Sequence, residues 1–449
     1  MPQSKLPLRI LIIYGLGCFG WSIGLNIISV LLNYIYLPPT NSGMHDLIPG
    51  TVWFGFVNII SIILLTGRGL DAVLDPLIAN LSDKSKSKLG RRIPFMRWAF
   101  LPLSVFCALV FIPLYRHDHA ANIWWLAVTQ MLFYFFFGLY TIPYNALLAD
   151  LGHDARAKVD LSTAQSVGFM AGAMVSASST AAVWLILHLG ITTDRLSAYQ
   201  YAIIALNIIA AACMAVPAFG IKEREFHSRQ HTTGGAFKSL TAALKNRNFR
   251  IFAMADASYF MAIAIISTGL LYYIRAMLGL DESLGTAFML AMVVITMISY
   301  GFVNKVGTIY SRKKMMIASF AVAALVFGEI FFLGHVPLHP ILQASVLVVS
   351  FGIPNAFLQI LPNTVVADIA HQERDRAGSN EEAMFFGMRA FFQKIGQTLG
   401  ITVFAMLITL GKDPGHDLGL RMSGVVGAVL CAFAAVIYIF YKEPQTKAD

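Results

Sequence analysis

The chain has 449 residues, of which 57% are hydrophobic and only 13% charged, with a formal net charge of +9. An ordinary soluble domain carries roughly 25% charged residues, so this composition excludes a water-exposed globular surface and points to lipid. A nucleic-acid footprint would need the basic residues gathered on one soluble face, and the pattern offers none, so no nucleic-acid partner is expected.

A spanning helix needs about 20 consecutive apolar residues. Runs that long fall near 10–36, 51–81, 95–115, 123–149, 162–189, 198–219, 249–278, 283–303, 315–335, 341–366, 383–410 and 420–441, which predicts twelve transmembrane helices. Gly, Pro and polar residues interrupt the second and tenth. The first run is longer than the 7 to 15 residues of a signal-peptide core and no small-residue cleavage site follows it, so a retained helix is expected. Cys18, Cys107, Cys213 and Cys431 all fall within predicted spans without metal-type spacing, which argues for packing residues, with no zinc or disulfide.

The Lys and Arg residues set the orientation. With both termini cytoplasmic, that side holds Lys5 and Arg9, Lys84 to Arg97, Arg156 and Lys158, seven residues between Lys222 and Arg250, Lys305 and Arg312 to Lys314, Arg374 and Arg376, and Lys442 and Lys447. The other side holds only Arg116, Arg195, Arg275, Lys412 and Arg421, so the positive-inside rule selects this topology, in a cell (inner) membrane.

The polar stretch at about 220–248, in IKEREFHSRQHTTGGAFKSLTAALKNRNF (221–249), divides the chain into six-helix bundles over 1–219 and 249–449. The two halves echo each other. NALLADLGHDAR at 145–156 and NTVVADIAHQER at 363–374 repeat Asn, Ala, Asp, His and Arg at the same offsets, 218 residues apart. Twelve helices in two parallel repeats are the plan of the major facilitator fold, an all-α membrane architecture. No Walker-type loop, HExxH or GxSxG occurs, so neither an ATP-driven pump nor a hydrolase is expected, and no cofactor.

Charges inside the predicted spans are the exceptions that call for explanation. A central Asp, Lys or Arg raises the insertion cost by roughly 2.5–3.5 kcal/mol. In RGLDAVLDPLIANLSD, with Ser82 as the helix end, Asp71 lies about 16 Å inside at 1.5 Å per residue, near mid-membrane. Asp75 follows one turn later on the same face, and Arg68 precedes Asp71 by three residues. A local Arg68–Asp71 ion pair would account for part of this, yet would leave Asp75 aside. Two carboxylates on one face can hold Na⁺ through oxygen; buried without it, their mutual repulsion and desolvation favour binding a proton. Lys394, flanked by Arg389 in MFFGMRAFFQKIGQTLG, reaches a depth similar to that of Asp71 and is expected to pair with the two carboxylates in one state. Asp256 in FAMADASYF is a lesser candidate.

RGLDAVLDPLIANLSDKSKSKLGRRIPF, IPYNALLADL and DIAHQERDRAGSNEEAMFFGMRAFFQK resemble the signatures of the glycoside-pentoside-hexuronide:cation symporters, the family of melibiose permease. The resemblance covers both halves. It implies alternating access, with Asp71 and Asp75 serving the coupling cation and Lys394 close by. It also implies that Asp83 with Arg91 or Arg92 restrains the inner gate, with Asp150 and Arg156, and Asp368 and Arg374, as repeat-related contacts. The chain departs from the sugar-transporting members: Ser22 stands where they carry an acidic or amide residue, and Thr141 and Asn145 stand where helix 4 of melibiose permease carries an acidic residue and a tryptophan. Leu74 stands between the aspartates where the Na⁺ users have a polar residue, and Gly138 replaces a hydroxyl ligand one turn before the IPY motif.

The remaining polar side chains in the spans expected to line the path are Ser22 and Asn26, Thr141, Tyr144 and Asn145, Gln165, Asn355, Gln359 and Asn363, and Gln393 and Gln397. Amides and hydroxyls both donate and accept hydrogen bonds, which suits a neutral polyol, although interhelical hydrogen bonding is their ordinary use. A cation-coupled symporter for a small sugar or glycoside, acting as a monomer in the bilayer, is the function expected. A lysolipid or other amphiphile transporter or flippase on the same fold is the alternative. Fewer oxygens near Asp71 and Asp75 favour H⁺ over Na⁺ as the coupling ion. Uptake into vesicles at fixed pH is therefore expected to proceed without Na⁺ and to stop when the proton gradient is collapsed; a strict Na⁺ requirement would reverse the assignment.

Overall fold

The computed structural model describes residues 6–443 apart from 51, 54–56, 153–154, 224–243, 308 and 378–381. Its described residues are almost all helical. In chain order they form α1 (Leu8–Tyr36), α2 (Ile59–Asp83), α3 (Ile93–Val110), α4 (Ala120–Leu151), α5 (Ala155–Ala177), α6 (Ser179–His188), α7 (Arg195–Gly220), α8 (Arg247–Tyr272), α9 (Leu284–Gly307), α10 (Arg312–Glu329), α11 (Pro340–Ala377), α12 (Glu382–Leu407) and α13 (Leu418–Tyr438). Ahead of α2, strand β1 (Val52–Trp53) pairs antiparallel with β2 (Val57–Asn58).

Eleven helical runs among the described residues are long and apolar enough to cross a membrane, with α5 and α6 contributing one run, Asp160–His188. The twelfth expected span, 51–81, differs from the sequence expectation. Val52–Trp53 and Val57–Asn58 pair as β1 and β2, and the helix begins only at Ile59 and runs to Asp83.

The chain divides into two compact units, one of residues 1–51 with 62–232 and the other of residues 52–61 with 233–449. Of the expected linker, residues 224–243 lie outside the described residues; α7 ends at Gly220 and α8 begins at Arg247. In the first unit α1 packs on α5 and α7, and α3 on α4 and α7. In the second α8 packs on α12 and α13, α10 on α13 and α11, and α9 on α11.

Lipid tails are as apolar as leucine, so helices in a membrane associate through close packing and polar contacts, and small residues make close approach possible. Both units use that device. A Cβ on Gly172 of α5 would lie 2.5 Å from the Phe19 carbonyl oxygen of α1, and one on Gly168 would collide with the Gly15 carbonyl. In the second unit a Cβ on Gly396 of α12 would collide with the Ala257 carbonyl of α8, and one on Gly400 with that of Met261. Each pair sits four residues apart and so lies along one stripe of its helix. Stacked tyrosines add to the first unit, with Tyr14 of α1 against Tyr144 of α4 at 4.4 Å between ring centroids. Large apolar side chains such as Trp98, Ile208, Leu325 and Val436 stand exposed on the outer helix faces, where a bilayer would meet them.

The α8–α12 contact leaves no room for a methyl group. Gly396→Ala is expected to cost about 1–3 kcal/mol, as other overpacking substitutions do, and to lower the melting temperature of the purified protein. Gly301→Ala on α9, whose Cβ would meet nothing within 4 Å, is expected to leave it unchanged.

Candidate functional site

The charged face of α2 is built beside α4. Gly67 lets the two helices close, since a Cβ there would lie 3.0 Å from the Tyr134 ring. Arg68 is then buried with its guanidinium carbon 4.9 Å from the centre of that ring, a cation–π contact that offsets part of its desolvation. Its Nε has no hydrogen-bond partner among the described residues. Asp75 is half-buried on α2 one turn beyond Asp71, whose side chain lies outside the described residues.

In the second unit α8, α11 and α12 bring together four polar side chains. Asp256 of α8 is 1% exposed and Arg389 of α12 is 8% exposed. Arg389 Nε donates to Asp256 Oδ2 at 3.0 Å, and Gln393, one turn further along α12, donates to the same oxygen at 3.0 Å. Another arm of the guanidinium donates to the side-chain oxygen of Asn363 on α11, and the Phe252 ring lies 5.8 Å from the guanidinium carbon. Asn363 and Gln393, expected in the solute path, are thus held by an ion pair, and Asn363 keeps an exposed face. Lys394 follows on α12, half-buried.

The other expected path residues divide into two groups. Ser22, Thr141 and Tyr144 are buried, with their hydroxyls donating to backbone carbonyls of Phe169 at 3.2 Å, Phe137 at 2.8 Å and Tyr14 at 2.6 Å. They are spent on contacts within and between helices, the ordinary use of hydroxyls in lipid. Asn145 of α4 is exposed and accepts from Gln165 of α5 at 2.8 Å, while Asn26 is half-buried and donates to the Ser22 carbonyl at 2.8 Å. Gln359 is exposed and donates to Asn355 at 3.4 Å, and Gln397 is half-buried. Asn355 and Gln359 edge a cavity of about 170 Å³ inside the second unit, whose other walls, including Phe288, Met292 and Phe351, are apolar apart from Ser267.

At the ends of α3 and α10 the expected gating residues form two similar clusters. In the first, Arg91 pairs with Asp150 at 3.2 Å, and Arg92 pairs with Asp83 at 2.5 Å and Asp150 at 3.4 Å. Glu223, buried just past α7, accepts from the backbone N–H groups of Arg91, Arg92 and Ile93 at 2.8, 2.8 and 3.2 Å. A carboxylate there satisfies amides that have no partner within the helix and faces the positive end of its dipole. Gly90 makes the approach possible, with φ at +118° and no space for a Cβ beside the Glu223 carboxylate. In the second cluster Arg312 pairs with Asp368, and Glu443 accepts from the Lys313 amide at 3.4 Å. Burial pushes the Tyr441 hydroxyl pKa up in that cluster, with Asp368 and Glu443 adding to the effect and Arg312 opposing it. Asp150 therefore meets arginines of the loop before α3, and Asp368 meets Arg312, the first residue of α10. The side chains of Arg156 and Arg374 lie outside the described residues.

Sequence reasoning passed over Glu223 and Glu443, although a signal was there: a Lys–Glu pair follows the last helix of each half, at 222–223 and 442–443. It ranked Asp256 low because a lone acid does not announce its partner 133 residues away.

A family model described as MFS/sugar transport protein matches residues 56–442. YagG of Escherichia coli (strain K12), provisionally named a glycoside/cation symporter, is 24% identical over 419 residues, covering 90% of this chain and 84% of its own length. A glucuronide carrier protein homolog of the same organism is 23% identical over 416 residues, covering 86% of this chain and 84% of its own. The crystal structure of a D-xylose-proton symporter superposes with a TM-score of 0.67 at 13% identity, over 98% of this chain and 99% of that one, a likeness of fold. The family match spans most of the chain, and this multi-pass membrane chain belongs to the glycoside-pentoside-hexuronide:cation symporters of the major facilitator superfamily, which are transporters and not enzymes.

Proposed function

We propose that this chain is a proton-coupled symporter that carries a sugar or glycoside by alternating access, with twelve spans in two repeats, both termini cytoplasmic, as a monomer in the inner membrane. The carrying observation is the pair of carboxylates one turn apart on α2, where lipid-facing sequence has no use for charge. The names of the relatives support the solute class, since one is given as a glycoside/cation symporter and another as a glucuronide carrier homolog. The recurrence of the end clusters, Arg92, Asp150 and Glu223 against Arg312, Asp368 and Glu443, supports the two repeats.

Asp71 and Asp75 are the coupling carboxylates in this proposal. Arg68 is the local counter-charge and Lys394 a further participant. Leu74 between the carboxylates leaves Na⁺ short of oxygen ligands, whereas a proton needs only one carboxylate. Asn145 and Gln165, bonded directly across α4 and α5, and Asn363 and Gln393, tied together through Arg389 and Asp256, are the amides proposed to meet the solute, since each set joins neighbouring helices and stays partly accessible. The largely apolar cavity edged by Asn355 and Gln359 favours one second reading, an amphiphile carried with its tail in that space.

Asp71→Asn and Asp75→Asn are each expected to abolish accumulation of the solute against its gradient in proteoliposomes while leaving exchange at equilibrium measurable. Accumulation by either variant at the wild-type level would remove α2 from the coupling site. Lys394→Ala is expected to lower cation-stimulated binding at least about tenfold, the equivalent of 1.4 kcal/mol; unchanged cation dependence would release Lys394 from the site. Melting-temperature screens against sugars and lysolipids, with and without Na⁺, identify the solute. Movement of a lysolipid after both proton and sodium gradients are abolished would favour the second reading.

A further inference from the structure

Beyond α2, one ionisable group deep in the second unit is incompletely satisfied. Asp256 lies nine residues into α8, about 14 Å from its N-terminal end at 1.5 Å per residue. Its Oδ2 receives both of the donors that reach it, Arg389 and Gln393, whereas Oδ1 is buried without a hydrogen-bond partner among the described residues. The guanidinium contact is made through Nε alone, with another arm turned to Asn363. A bidentate fork, the stronger arrangement for such a pair, would have engaged both carboxylate oxygens.

We propose that Asp256 is a second proton-binding carboxylate, separate from the pair on α2, and that protonation at Oδ1 releases Arg389. The step is a simple proton uptake: an O–H bond forms on Oδ1, the charge-assisted bond from Arg389 to Oδ2 is given up, and nothing is oxidised or reduced. Burial of both charges is expensive, and a pair held by one contact recovers only part of that expense. A neutral carboxyl removes one of the two charges, and Arg389 keeps the Asn363 contact toward the accessible edge of the cluster. The proposal rests on the proton-coupled reading for its purpose in transport, but the protonation itself can be observed independently.

The groups around Asp256 permit such a step. From α12 come Arg389, the neutral Gln393 and, further along, Lys394. From α11 comes the neutral Asn363, while Asp368 and Glu373 of that helix are engaged by Arg312 and Asn246. From α13 comes Tyr438, whose buried hydroxyl also lacks a partner among the described residues. Tyr259 on α8 itself is occupied, donating to Asn355 at 3.0 Å. Tyr438 stacks on Tyr441 with 4.9 Å between ring centroids.

The test uses full-length protein in phosphatidylethanolamine–phosphatidylglycerol liposomes, with infrared difference spectra recorded as pH is stepped. The background carries Asp71→Asn and Asp75→Asn, so that the α2 carboxylates are silent. A protonated-carboxyl band that rises as pH falls is expected to persist there and to vanish on adding Asp256→Asn. Arg389→Gln removes the opposing charge and is expected to raise the proton affinity of the band at least tenfold. Should Asp256→Asn fail to fold, Asp256→Glu is expected to keep a titrating band at an altered frequency. If no titrating carboxyl band responds to substitution at 256, or if Arg389→Gln leaves its titration in place, the proposal is overturned. Transport by the Asp71→Asn and Asp75→Asn variants judges the α2 reading separately, so either can fail alone.

Discussion

In hydrocarbon, a polar group that is not satisfied within the protein is not satisfied at all. The pair between Arg389 and Asp256 is where that constraint bears hardest on this molecule. Neither side chain could be carried into the membrane by its own helix without a large penalty, so α8 and α12 must meet at one register, and Gly396 and Gly400 give the backbones the proximity that register demands. Arg389 then fixes Asn363 on a third helix. A local electrostatic requirement thus determines how three helices of the unit are held, and two accessible amides, Asn363 and Gln393, inherit defined positions from it.

The first unit solves the same problem with different chemistry. Its close helix pair, α1 with α5, is also made by glycines, but the hydroxyls of Ser22, Tyr144 and Thr141 are spent on backbone carbonyls, and its buried guanidinium, Arg68, rests on an aromatic face. Backbone carbonyls accept without carrying charge, so these contacts make tight joints that do not respond to pH. The two units therefore share packing geometry while differing in electrostatic character.

Much of the architecture was legible because lipid imposes a one-dimensional signal: apolar length marks a helix and charge marks an end. The exceptions are instructive. Residues 51–58 are apolar enough to suggest a span, yet Val52–Trp53 and Val57–Asn58 pair as β1 and β2, since hydropathy does not distinguish a strand pair from the start of a helix. Asn145, Asn363 and Gln393 could be picked out as polar residues in spans, and so could Ser22, Thr141 and Tyr144. Which of them are used up by carbonyls depends on neighbours 4 to 147 residues away, which sequence spacing does not encode. Asp256 and Arg389 were each visible, but their partnership is a property of the fold.

The caps made by Glu223 and Glu443 have a consequence for how this sequence can vary. Glu223 binds amide groups, which every residue except proline supplies, so the cap makes no demand on the identity of the side chains at 91 and 92. The demand falls on Gly90 alone, where both the backbone angle and the space beside the carboxylate exclude a side chain. Loops built in this way can drift far in composition and still close on the same geometry. Two copies of one device within a single chain can then diverge until little more than a Lys–Glu pair betrays their kinship.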